Sequence, residues 1–368
     1  MEEYLYKLKK IADYHINKFY NQGYANKGCN GLYKDIDTEM RNTAHWVVTY
    51  SILYNIFKEK KYYDIVLKFG EFLLKDDNYG KNGAAICRIN SNDDTNGVIG
   101  QAWVIEGLLA CYDITQNLNF INKAIKIFDS QKFVEEIGLW RICCSNGKDV
   151  GYDYVYNHNL WFAASGSLIL QRVNVENIRK KIIRFLECSK YTYGVQPSGC
   201  LYHLVNLNKN IVGKIKFRLK MCLTDFNIGK FQDLNYLEKG YHLFDLYGFA
   251  ILKNKFPNNE EFNSFKLNKA ISYGENKETI NKLKMFKDFM NKYSFPYNSP
   301  AFEYPYVSMM LGKNYDDNFA KQLLDFQFSE LFDESTMMFS KNNEDPETLT
   351  ARMYELMRFF QERNLKYE

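Results

Sequence analysis

The sequence predicts an all-α fold: a single (α/α)6 toroid of helical hairpins spanning residues 1–368, with a small β-hairpin insertion near 200–222. Three observations predict it. Strongly apolar and amphipathic helical segments alternate along the chain. Tryptophans recur early in the apolar segments, as Trp46, Trp103 and Trp161, at separations of 57 and 58 residues. Six hairpins of that period need about 340 residues, close to the 368 present.

The elements follow in order. Leu5, Leu8, Ile11, Ala12, Ile16 and Phe19 fall at three- and four-residue spacing, an amphipathic helix. "AHWVVTYSILYNIF" is apolar around most of its circumference, as a largely buried helix should be. "YYDIVLKFGEFLL" is amphipathic again, and "GQAWVIEGLLACYDI" is buried. "FINKAIKIF" carries Ile121, Ala124, Ile125 and Phe128 on one stripe. "HNLWFAASGSLIL" is buried, and "ENIRKKIIRFLE" is amphipathic with a basic outer face.

The later units are less regular. "CLYHLVNLNKNIVGKIKFRLKMC" alternates apolar and polar residues around an Asn-Lys turn, which predicts the β-hairpin. Helices follow over "GYHLFDLYGFAILK", "EFNSFKLNKAISY", "ETINKLKMFKDFMNKY", "AFEYPYVSMMLG", "DNFAKQLLDFQFSELF" and "TLTARMYELMRFF", the last opened by Asp345-Pro346. The last helix is as apolar as the inner ones, which favours a ring over a solenoid with a polar cap. No linker rich in Gly, Pro or Ser divides the chain.

Composition narrows the function classes. A net charge of +4 with interspersed signs gives no basic patch for nucleic acid. The opening "MEEYLYKLKKIADYHINKFY" has no apolar signal-peptide core, and no run of 18 apolar residues predicts a membrane span. The eight cysteines show no C-x-x-C spacing, so they read as reduced thiols in a cytoplasmic protein. Aromatics make up 17%. Abundant Asn, Lys, Ile, Tyr and Phe together match AT-rich codon usage, though exposed rings would also stack on sugars.

Carboxylates recur with the tryptophans. Asp37 and Asp94 each precede theirs by nine residues, and Asp153 precedes Trp161 by eight. In a toroid the loops ahead of the inner helices gather at one mouth, so the three acids are expected around a shared cavity. The plainer alternative is helix capping. His45, His158 and His242 also stand at the starts of buried helices, where imidazole suits proton transfer or sugar hydrogen bonding. Their alternative is a core histidine bonded to a backbone carbonyl. Candidate substrate-binding groups are Asp37, Arg41, His45, Trp46, Gln101, Trp103, Asn157, Asn159, Trp161, His242, Glu303 and Arg352. Arg41 or Arg352 could clamp a carboxylate or phosphate, or lie in an ion pair with a glutamate. Lys214, Lys216, Arg218 and Lys220 are expected on one face of a strand, either simply solvated or drawing an anionic glycan or nucleotide sugar. No metal or other cofactor is expected. H-x-x-x-H and H-E-x-x-H are absent, and "NDDTN" lacks the D-D-x-x-D of an aspartate-rich Mg²⁺ site, since Gly97 stands three residues after Asp94.

"DTNGVIGQAWVIEGLLACYDI", "YDYVYNHNLWFAASGSLI", "GYHLFDLYGFAILK" and "DPETLTARMYELMRFF" resemble the six-hairpin glycosidase superfamily, above all unsaturated glucuronyl hydrolase-like proteins of surface-glycan gene clusters. The resemblance is diffuse and covers most of the chain. It implies a carbohydrate-active, glycoside hydrolase-like enzyme acting on a sugar or oligosaccharide, such as one containing uronic acid. Asp153 would then be the general acid/base, Asp94 would assist or orient substrate, and His158 with Asn157 and Asn159 would bind the sugar. Paired carboxylates suit glycoside cleavage. The alternatives are a sugar epimerase or isomerase on the same barrel, using His158 and His242 with Glu303, and a non-catalytic glycan-binding or scaffold protein. Fold analogy does not choose among them. The sugar, its linkage and the oligomeric state are open at this point.

Overall fold

The computed structural model describes residues 1–90, 92–208, 210–226, 232–284, 290–312 and 314–365. The α-helices among them are α1 (Glu2–Gln22), α2 (Glu39–Phe57), α3 (Lys60–Leu73), α4 (Gly97–Thr115), α5 (Leu118–Ser130), α6 (Tyr156–Arg172), α7 (Glu176–Thr192), α8 (Ile211–Asp225), α9 (Gln232–Lys255), α10 (Phe265–Gly274), α11 (Lys277–Asn281), α12 (Pro300–Met310), α13 (Asp317–Leu331), α14 (Pro346–Ala351) and α15 (Tyr354–Leu365). The strands are short: β1 (Phe133–Val134), β2 (Leu139–Cys143), β3 (Asp149–Tyr152), β4 (Gly194–Val195) and β5 (Leu201–Tyr202). Two compact units emerge, one of Met1–Lys132, Arg141–Gly151 and Asp317–Glu368, the other of Phe133–Trp140 and Tyr152–Asp316.

In the first unit, α2 and α4 are the buried helices the composition predicts. Every residue of α4 from Gly97 to Cys111 is buried. The two helices come close because Gly107 has no side chain: a Cβ there would stand 2.7 Å from the Ala44 Cα. α3 packs on α2, α5 on α4, and α14 and α15 on α2. The outer helices contribute one apolar face, Tyr62, Ile65, Val66, Phe69 and Leu73 on α3 and Phe120, Ile121, Ala124, Ile127 and Phe128 on α5. Each large aliphatic or Phe side chain so buried contributes about 1.5–3 kcal/mol relative to exposure. As expected, Asp345 caps α14 through Thr348 N at 3.2 Å, with Pro346 following.

In the second unit, α6 packs on α7 and α9, and α9 on α12. Trp161 lies flat on Phe244 and Tyr247, at centroid distances of 4.8 and 5.3 Å, and its Nε1 donates to Phe244 O at 3.1 Å. Trp140 is fully buried against Phe133, Phe162 and Phe185.

Three local expectations change. The hairpin near 200–222 lies earlier: β4 pairs antiparallel with β5, in register Gly194↔Tyr202 and Val195↔Leu201. Residues 211–225 are helical, because Asn210 caps Gly213 N at 2.7 Å and Phe217 and Met221, four residues apart, pack on Gly194. Lys214, Lys216, Arg218 and Lys220 therefore stand on a helix, not a strand. The helix expected over 278–293 is helical only through α11, and residues 285–289 lie outside those described. The small sheet β1-β2-β3 had no sequence expectation.

Candidate active site

The loop entering α6 builds a histidine–carboxylate pair in the second unit. Asp153 Oδ1 accepts from Val155 N at 3.1 Å, and its Oδ2 lies 2.9 Å from His158 Nδ1. Asp153 is 2% exposed while the His158 side chain is 25% exposed. The other His158 nitrogen has no hydrogen-bond partner among the described residues. Asn159 pins the loop from below: its Oδ1 accepts from Trp140 N at 2.9 Å, and its Nδ2 donates to Asp153 O at 2.9 Å and Val155 O at 3.2 Å.

Beside the pair lies His203, edge-on to the Tyr241 ring at 5.0 Å. Burial lowers its pKa to about 3, and the neighbouring His158 lowers it further while Asp153 opposes. His203 N donates to Glu238 Oε1 at 3.3 Å, and Gln196 Nε2 donates to Glu238 Oε2. Burial pushes the Glu238 carboxyl up to about 9. Asp245, seven residues further along α9, is pushed up to about 8 by burial, against a hydrogen bond from Asn157.

A second polar cluster lies within the first unit. Arg41 Nη1 donates to Asn30 Oδ1 at 3.1 Å and to Asp37 Oδ2 at 3.2 Å, and its guanidinium stacks 4.0 Å above the Trp103 ring. Burial raises the Asp37 pKa, and Arg41 and Arg88 oppose the rise. His45 is stacked on Tyr354 at 4.6 Å and meets Trp103 edge-on at 5.4 Å. Burial holds its pKa well below the usual range, helped by Arg41, Arg352 and Arg358. Arg352 is paired with Glu355 at 2.8 Å, and Arg358 with Glu106 at 3.2 Å. Among the described residues no group of three His, Cys, Asp or Glu side chains is gathered as a metal site.

No family model matches the chain. Archaeal glycosylation protein Q of Haloferax volcanii is 27% identical over 351 residues, covering 90% of each chain. The structure of an unsaturated glucuronyl hydrolase specific for heparin matches 100% of this chain and 99% of its own, with a TM-score of 0.62 at 10% identity. Cellobiose 2-epimerase from Bacillus thermoamylovorans B4167 matches 99% and 100%, with a TM-score of 0.67 at 11% identity. The fold is the (α/α)6 barrel shared with these two structures.

On this six-hairpin fold the expected site residues divide sharply by what they touch. Asp153, His158, Asn157 and Asn159 come together around the loop entering α6. Asp37, Arg41, His45, Trp103 and Arg352 come together in the first unit. Asp94 is tied to Ser145, whose N donates to its Oδ1 at 3.0 Å and whose Oγ donates to its Oδ2. Its neighbour Asp93 accepts from Thr95 N at 3.0 Å and Gly97 N at 2.7 Å, bracing the loop that enters α4.

Other candidates are buried and packed or hydrogen-bonded within the fold. His242 Nδ1 accepts from Leu201 N at 3.1 Å and its Nε2 faces Ala270 O at 3.0 Å, so backbone occupies both ring nitrogens. Gln101 is consumed the same way, accepting from Ala85 N at 2.7 Å and donating to Ala85 O at 2.9 Å. Gln101 and Asn159 each stand two residues before a repeat tryptophan, and each ties down the loop ahead of its helix. Trp46 is packed against Phe19 and Tyr50, and Trp161 against α9. Glu303 is fully buried on α12. The sequence marks Glu238 and Asp245 only as polar groups on buried helices, without a site role, and gives none to His203. A usable signal existed, since Glu238, His242 and Asp245 recur at four and then three residues along a buried helix.

Chemically, a buried carboxylate that fixes one imidazole nitrogen leaves the other aimed outward as a proton donor or acceptor. Among the expected groups, His158 has this arrangement.

Proposed function

We propose that this six-hairpin protein is a sugar-processing enzyme in glycan metabolism and that His158 moves the proton. The observation that carries the reading is the Asp153–His158 pair, with its carboxylate buried and its imidazole partly open. Asp153 has both oxygens engaged and Asp94 is held by Ser145, which weakens direct acid/base work by that pair of carboxylates. A histidine-borne proton transfer at a sugar carbon, epimerisation or isomerisation, fits the geometry best. The six-hairpin fold shared with a cellobiose epimerase is compatible with it, and the glycosylation protein of Haloferax volcanii supports a role with glycans.

Hydrolysis is a second reading, favoured by one specific observation. Burial pushes the Glu238 carboxyl up to about 9, the direction a general acid for glycoside cleavage needs, although His203 N and Gln196 Nε2 engage its two oxygens and one would have to be freed.

The deciding experiment incubates the protein in heavy water with neutral hexoses, cellobiose and uronic acids, and with an unsaturated uronyl disaccharide. Deuterium entering a sugar carbon without bond cleavage, lost in His158→Ala, supports proton transfer. Release of a reducing end without such exchange overturns it in favour of hydrolysis. Neither reaction from any sugar, with binding retained, would argue for a glycan-binding protein.

A further inference from the structure

We propose that α8 is an interfacial helix that docks this protein on an anionic lipid surface. The helix is amphipathic in two directions at once. Its inner line is Phe217, Met221 and Thr224: Phe217 meets Tyr202 at 5.2 Å between ring centroids, Phe217 and Met221 close over Gly194, and Thr224 is buried.

The opposite side is also apolar, and it faces solvent. Ile211 is 76% exposed, Val212 62%, Ile215 59%, Leu219 58% and Phe226 67%. At about 100° per residue these five fall within one arc of roughly 100°, so they form a continuous stripe. Cations border the stripe on both sides, Lys214 and Arg218 along one edge and Lys216 along the other, while Lys220 Nζ turns inward over the Tyr202 ring at 5.9 Å. Among the described residues, none of Lys214, Lys216 and Arg218 is in an ion pair. The one acidic residue on the helix, Asp225, accepts from Ser198 N at 2.7 Å.

An outward apolar stripe on a helix already packed by its other face lowers solubility unless something covers it. Charge complementarity identifies the cover. Three cations flanking the stripe at headgroup height, with aliphatic and Phe side chains between them, match a helix lying in the plane of an anionic bilayer surface. Such docking is peripheral and needs no membrane-spanning segment. The α4 helix is apolar enough to span by composition, but it is 83% buried in the protein core. The inference is independent of which reaction the site performs.

The test uses the full chain in co-sedimentation with vesicles of equal parts phosphatidylglycerol and phosphatidylcholine, and with phosphatidylcholine alone. The wild type should pellet with the anionic vesicles, remain in solution with the neutral ones, and be released by salt. Lys214→Gln with Arg218→Gln should weaken the partition about tenfold or more. Ile215→Asp with Leu219→Asp should abolish it while leaving the thermal melt and circular dichroism unchanged, since both side chains are exposed. Wild type that stays in solution with anionic vesicles, or variants that pellet as it does, would overturn the proposal. Sedimentation velocity covers the other occupant: a dimer that Ile215→Asp with Leu219→Asp converts to monomer, without vesicle binding by the wild type, assigns the stripe to a second copy instead.

Discussion

Asp153 Oδ2 lies 2.9 Å from His158 Nδ1, five residues away across the start of α6. The distance is short because the chain enters the helix through an Asx-type turn, in which Asp153 also receives Val155 N. The aspartate is thereby buried at the base and the imidazole projects from the first turn.

Asp153→Asn replaces the carboxylate that orients the His158 imidazole with a neutral amide. The reaction should slow by about 10²–10⁴-fold while binding and folding persist. Comparing exchange or cleavage rates with ligand affinity for the two proteins checks this. A variant with wild-type rates would remove the pair from the chemistry.

Asn159→Ala strips partners from Trp140 N, Asp153 O and Val155 O together. It should destabilise the fold by about 1–3 kcal/mol and also slow the reaction, because the loop holding Asp153 loses its anchor. Gln101→Ala, at the matching place in the previous repeat, should show the stability loss with a smaller effect on rate. Urea melts beside rate measurements separate the two.

Glu238 ties stability to pH. Its folded value of about 9 lies above the ordinary 4.5, so the folded protein holds a proton that the unfolded chain releases. The stability this contributes is fully present below about pH 4.5 and is lost as pH rises toward 9. Glu238→Gln removes the titration, and Gln196, by turning its amide, can still pair with it. The variant's thermal midpoint should fall less than the wild type's between these limits. Parallel curves for the two proteins would refute the assignment.

Gly107→Ala tests the contact between α2 and α4. The added methyl would stand 2.7 Å from the Ala44 Cα, and backbone cannot yield as a flexible side chain would. A loss of about 1–3 kcal/mol in denaturant titration is expected, although alanine is the better helix former. An unchanged midpoint would mean that the helices separate freely.

Much of the candidate site was legible before any coordinates, because its residues are neighbours in the chain. Asp153, His158 and Asn159 fall within seven positions, and their pairing follows from one turn entering one helix. Asp94 read as an equal candidate by repeat position, yet its partner Ser145 stands 51 residues away. Backbone groups far along the chain likewise occupy His242. Residues 211–225 misled for another reason: alternating Ile, Lys and Phe satisfies a strand's period, and packing on Gly194 with a cap from Asn210 decides for helix.

The sequence by itself determined most of the helices, their alternation of buried and one-sided faces, and the 57-residue period that predicted this fold. These depend on side-chain periodicity, which is a local property. Only the tertiary structure decided which polar groups are spent on holding loops and which remain open to a substrate. A hydrogen bond between residues distant in sequence leaves no periodic trace, and the partner that satisfies a buried acid or imidazole is known only once the chain has folded.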